Sequence, residues 1–177
     1  MMATPRLEER PVQRLTHAVL LSTLFAAATA ASAQVGPALP GTTGFDPELA
    51  KRTGADQRGM RQYVLVILKT GPTRVPDGEA RTAMFSGHFA NIERLSNAGK
   101  LVLAGPFGKD PDGWRGLYVF AVTDIEEARA LTATDPVIVN GEMVAEYHAW
   151  YGSAATMLLP ELHRKLTPPA AAAGGSP

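Results

Sequence analysis

Hydrophobic and polar positions divide the chain into short blocks of changing period. Arg61–Lys69 (RQYVLVILK) is an apolar, β-branched run closed by Gly71-Pro72, the pattern of a strand. From Glu79 to Gly99 the apolar residues Met84, Phe85, Phe89, Ile92 and Leu95 recur at spacings of three and four. That period predicts a helix, which Gly99 stops. Leu101–Gly105 (LVLAG) predicts a second strand, and Gly116–Val122 (GLYVFAV) a third across the polar turn Lys109–Gly113. Asp124 is placed to cap a short helix through Ala133, with Glu126 and Glu127 in its first turn, and Asp135-Pro136 ends it. Met143–Tyr151 (MVAEYHAWY) reads as the fourth strand.

The order β-α-β-β-α-β is the split βαβ, or ferredoxin-like, pattern. It predicts an α+β domain over residues 60–155, a four-stranded antiparallel sheet with two helices on one face. A sheet with one wet face alternates in polarity. Tyr63–Leu68 and Leu117–Val122 are instead continuously apolar, so both faces of the central strands should be covered. Helices cover one. A second copy could cover the other through a symmetric contact, which predicts a homodimer. The alternative cover is the C-terminal helix expected over Thr156–Leu166.

Outside this block the pattern changes. Arg6, Arg10 and Arg14 give a basic start, Ala18–Ala31 is an uncharged apolar run, and Ala31-Ser32-Ala33 precedes Gln34 as a small-x-small cleavage site. This is the layout of a secretory signal peptide over residues 1–33, cut between Ala33 and Gln34. The run falls short of the roughly 20 residues that span a bilayer as a helix. The mature chain is then expected to be soluble, off the membrane, and periplasmic or secreted in a bacterium. Residues 34–59, rich in Gly, Pro and Thr, read as a linker with a short helical turn at Pro47–Arg52, and 167–177 (TPPAAAAGGSP) as a disordered tail.

Charge and composition narrow the function. Seventeen basic residues balance 17 acidic ones, so no global field favours nucleic acid. With residues 1–33 removed the balance is 14 to 15. There are no cysteines, which excludes a thiol nucleophile, a cysteine metal site and disulfides. No phosphate loop is present, since Asp110 follows Lys109 and the glycine spacing is wrong.

Five segments resemble the YCII-related domain family: YVLVILKTGP (63–72), GHFANIERLSNAGKLVLAGPFG (87–108), RGLYVFAV (115–122), EEARALTATDP (126–136) and EYHAWYGS (146–153). The specific features are the histidine of the first helix, the G-K-L-x-x-A-G-P joint and the Asp-Pro that ends the second helix. The resemblance implies a dimeric α+β barrel. It also implies a cleft between sheet and helices, lined by the helix histidine and the Asp-Pro aspartate, here His88 and Asp135. Some relatives act on small ring compounds in dehydrohalogenase-like or isomerase-like steps.

The residues themselves allow such chemistry. His88 lies on the apolar stripe, so its imidazole faces the sheet and needs a partner for its N–H. Asp135 can supply it. A carboxylate on one ring nitrogen fixes the tautomer and leaves the other nitrogen as a base, which suits proton abstraction from a carbon acid or assisted loss of a leaving group. The competing view is a satisfied structural histidine with Asp135 capping backbone. Four more residues are candidate ligand contacts. Trp114 and Arg115 could stack on a ligand or bind an anion at the cleft mouth, or simply snorkel beside the hairpin turn. His148 and Tyr151 fall on opposite faces of the last strand, so one could reach the cleft and the other a subunit contact. No close histidine spacing supports a metal, and no cofactor is expected. The function predicted is an exported small-molecule enzyme using a His-Asp dyad for acid–base chemistry, isomerase- or lyase-like, on a small cyclic or carbonyl compound. The alternative is a non-catalytic ligand-binding or structural dimeric module.

Overall fold

The computed structural model describes residues 44–168. The expected export signal, its Ala33–Gln34 cleavage site and residues 169–177 of the expected tail lie outside them.

The elements run α1 (Pro47–Thr53), β1 (Met60–Thr70), α2 (Glu79–Asn97), β2 (Leu101–Pro106), β3 (Trp114–Phe120), α3 (Ile125–Thr132), α4 (Pro136–Val139), β4 (Met143–Ser153), a 3₁₀ turn (Ala154–Leu158) and α5 (Leu159–Leu166). The four strands form one sheet in the order β2-β3-β1-β4, and every neighbouring pair is antiparallel. This is the ferredoxin-like α+β arrangement that the pattern predicts.

The two apolar strands, β1 and β3, occupy the centre. Their alternate side chains go to different layers. Val64, Val66, Leu68, Tyr118 and Phe120 meet Met84 and Leu95 of α2, Ala128 of α3 and Val137 of α4. On the other face Tyr63 and Val119 join Val102, with Leu65, Leu117 and Met157 half-buried beside them. Tyr63 donates its hydroxyl to the Ser153 carbonyl at 2.9 Å, a contact that satisfies the polar tip of a buried phenol. The second face is covered only in part. The 3₁₀ turn and α5 pack near β2, while Val144 and Trp150 of β4 stay exposed.

Four local differences from the sequence expectation have physical causes. β3 starts at Trp114, two residues before the expected Gly116, because Trp114 pairs with Lys69 immediately after the Asp110–Gly113 turn. The expected helix over 156–166 splits, since Pro160 lacks an N–H and can sit only in the first turn of α5. Within the residues read as linker, the helical turn expected at Pro47–Arg52 is α1, capped by the Asp46 carboxylate and ended by left-handed Gly54, and the segment is not a free linker. Arg61 donates to the Thr53 carbonyl and Tyr151 to Asp56, so this segment is tied to the sheet. On α2 the buried positions are Met84, His88, Asn91 and Leu95, and Phe89 of the expected stripe is 64% exposed. The helix face is centred one rung from the one expected, and that turns Phe89 to the rim of a cavity.

Candidate functional site

α2 brings His88 over the helix-facing side of the sheet, where only 8% of it is exposed. Asp135 reaches the same point from the junction of α3 and α4, with no exposed surface. The two chain segments meet because Gly87 has no side chain. A Cβ there would stand 2.9 Å from Cγ of Pro136.

His88 Nδ1 lies 3.0 Å from each carboxylate oxygen of Asp135. Tyr118, from the middle of β3, donates its hydroxyl to Asp135 Oδ2 at 2.6 Å and passes Nδ1 at 3.3 Å. The Val137 backbone N–H donates to Asp135 Oδ1 at 3.1 Å. Asp135 is thus both the N-cap of α4 and the partner of the histidine. Burial, followed by the bond to Asp135 and its negative charge, pushes the Tyr118 phenol far above the usual tyrosine range. It therefore acts as a donor, and the carboxylate as an acceptor of three hydrogen bonds. With Nδ1–H directed at Asp135, the remaining ring nitrogen, Nε2, is an acceptor.

The imidazole lines a cavity of about 440 Å³ between α2 and β1, β2 and β3. Leu68, Phe85, Phe89, Ile92, Phe107 and Met143 are among the side chains that line it. Among the described residues lining it, Arg115 is the one arginine, and no lysine, aspartate or glutamate is present. Behind it lies a buried carboxylate, Glu142, 3% exposed. Glu142 accepts from Arg81 Nη2 and from the Val75 N–H, each at 2.8 Å. The Arg81 guanidinium holds the Glu142 carboxyl below the usual range, helped by the Val75 N–H and the charge of Arg115, against the opposing effect of burial.

Of the expected ligand contacts, Arg115 alone lines the cavity. Trp114 stands beside it, packed on Phe107 with ring centroids 5.4 Å apart. His148 lies elsewhere, on the open sheet face with Glu146 (2.9 Å) and Trp150, opposite Leu65. Tyr151 points from the end of β4 to Asp56. Alternation along the strand sets the His148 placement: Tyr147 packs on the helix side, so His148 cannot. The sequence reading missed Tyr118 and Glu142. A tyrosine inside an apolar strand was the available signal for the first, because its hydroxyl needs a buried acceptor. For Glu142 nothing local marked the residue as buried.

A ferredoxin-like sheet with a histidine–aspartate pair at a helix-covered cleft is a defined class of small α+β domain. Residues 62–150, half of the chain, match the YCII-related domain, and the protein belongs to that family. A solved structure of 5-chloro-2-hydroxyhydroquinone dehydrochlorinase from Burkholderia phenoliruptrix AC1100, in complex with 2,5-dihydroxybenzoquinone, is similar to it at 20% identity. The similarity covers 50% of this chain and 92% of that one, with a TM-score of 0.38. No curated protein matches the sequence.

Proposed function

We propose that this protein is an exported, dimeric small-molecule enzyme in which His88 is a general base and acid. The supporting observation is the contact of His88 Nδ1 with both oxygens of a fully buried Asp135 at the wall of an apolar cavity. Asp135 and Tyr118 hold the imidazole in the Nδ1–H tautomer. Nε2 then takes a proton from a carbon beside a carbonyl of a small ring compound. Returning that proton to a different atom isomerises the ring; departure of a leaving group in its place gives an elimination. In each case the electron pair of the C–H bond ends in the ring. Export rests on residues 1–33, and N-terminal sequencing of the periplasmic or secreted protein should begin Gln-Val-Gly-Pro.

A binding module without chemistry would share the cavity, and the Asp135 cap of α4 gives that reading its own support. The two differ in D₂O. A base at Nε2 exchanges the C–H protons beside the carbonyl in a panel of small ring ketones and diketones, followed by proton NMR. His88→Gln and Asp135→Asn should lose that exchange. Ligands that bind with no exchange above buffer would leave the module as the function.

A further inference from the structure

The charges behind the cavity wall form a chain with one end free. Arg74 pairs with Asp77 at 3.0 Å, Asp77 with Arg81 at 3.4 Å, Arg81 with Glu142 at 2.8 Å, and Glu142 with Arg115 at 3.8 Å. Three cations share two carboxylates, so the chain carries one surplus positive charge. Its location is set by the distances. Both Glu142 oxygens are already used, Oε1 by Arg81 and Oε2 by the Val75 N–H. At 3.8 Å the Arg115 guanidinium is attracted to Glu142 but not hydrogen-bonded to it, and this is its one ion pair among the described residues. A guanidinium has five N–H donors in a planar fork. Those of Arg115 belong to a side chain that is two-thirds covered and lines the cavity.

Apart from His88 and Tyr118 the rest of the wall is apolar and rich in phenylalanine. A cation in such surroundings has lost part of its water and gained no side-chain hydrogen bond among the described residues, a cost that an anionic ligand offsets. The fork fits a planar, two-oxygen anion best. The volume lies at the lower end for small-molecule sites, and rings of Phe85, Phe89 and Phe107 give flat contact surface.

We propose that Arg115 is the anion anchor of this cavity and that the ligand is a single-ring carboxylate, its carboxylate on Arg115 and its ring against the phenylalanines. The proposal rests on the cavity being the ligand site. Glu142 is a positioning residue in it. Held ionised by Arg81, it draws the Arg115 guanidinium toward the wall without occupying its donors.

Benzoate and benzamide, nearly identical in shape, separate charge from fit. Both are titrated into the folded protein, and shifts of the His88 ring signals by NMR report occupancy of the cavity. Benzoate should bind about tenfold or more tightly than benzamide, a difference of about 1.4 kcal/mol. Arg115→Gln should bring the two within about twofold of each other, and Arg115→Lys should keep part of the preference. Equal affinities of wild type, with His88 shifted by both, would overturn the anchor and leave the cavity as the ligand site. No shift of His88 by either would overturn both. The wild-type comparison decides whether or not the variants fold.

Discussion

Asp135 and Glu142 are the two buried carboxylates of the domain core, and each is held by several donors at once. Their partners are of different kinds, which gives different tests. The bond from Tyr118 to Asp135 joins a neutral donor to a charged acceptor. Tyr118→Phe should lower stability by about 1.5–3 kcal/mol in urea unfolding while His88 keeps its contact with Asp135. For Glu142 the sign follows from its lowered folded pKa. It is ionised in the fold at a pH where the unfolded chain has begun to bind protons, so its contribution is complete above its ordinary value of 4.5 and is lost as pH falls through the folded value. Urea midpoints of Glu142→Gln should lie furthest below wild type near neutrality, and the gap should narrow below about pH 4.5. A constant gap would show that Glu142 acts through shape alone. These residues also mark the limit of legibility at this scale. His88 and Asp135 could be found because each breaks a pattern, a histidine on an apolar stripe and an aspartate at a helix joint. Tyr118 fits its apolar strand without a break. Glu142 follows Gly141 in what reads as a turn, and its burial depends on Arg81, 61 residues earlier.

The elements meet at one close approach that matters for the site. Gly87 on α2 faces Pro136, the first residue of α4. Ala is the better helix former by about 1 kcal/mol, so helix propensity alone predicts that Gly87→Ala stabilises. The added methyl, however, would lie 2.9 Å from a rigid proline ring. Overpacking of that kind costs about 1–3 kcal/mol and should win. Gly87→Ala should therefore melt lower than wild type. It should also push α4 outward and weaken the His88–Asp135 contact, seen as a changed imidazole tautomer signal in ¹⁵N NMR. A higher melting point with an unchanged imidazole would show that α4 yields without strain. Strand and helix order were legible because apolar runs and the three-and-four spacing are local properties. The packing of α2 on α4 was not, because Gly87 reads as a weak point in a helix until the opposing proline is known. Likewise a helical turn at Pro47–Arg52 was expected, but its attachment to β1 and β4 was not.

At the scale of the molecule, the continuous apolarity of β1 and β3 predicts cover on both sheet faces; Val64 and Val66 pack on one side, and Tyr63 and Val119 are buried on the other. What sequence could not divide was how much of the second face the chain covers by itself. The 3₁₀ turn places Met157 there, and α5 follows the β2 edge. The β4 half remains open, with Val144 45% and Trp150 36% exposed. A half-covered apolar face is the kind of patch that monomers rarely leave in water. A two-fold contact would set β4 of each copy against the open half of the other, covering Val144 and Trp150 twice. Such an interface must also take in Lys69, Glu146 and His148, which lie on the same face between Val144 and Trp150 and bond to one another. Light scattering during size exclusion of residues 34–177 should return twice the chain mass. Val144→Lys sets a second cation opposite Lys69 in each half of the contact, so it should give the monomer mass. The substitution lies on the face opposite His88, and its far-UV circular dichroism should be that of wild type. A monomer mass for the wild-type chain would mean that Met157 and α5 cover enough of the sheet by themselves.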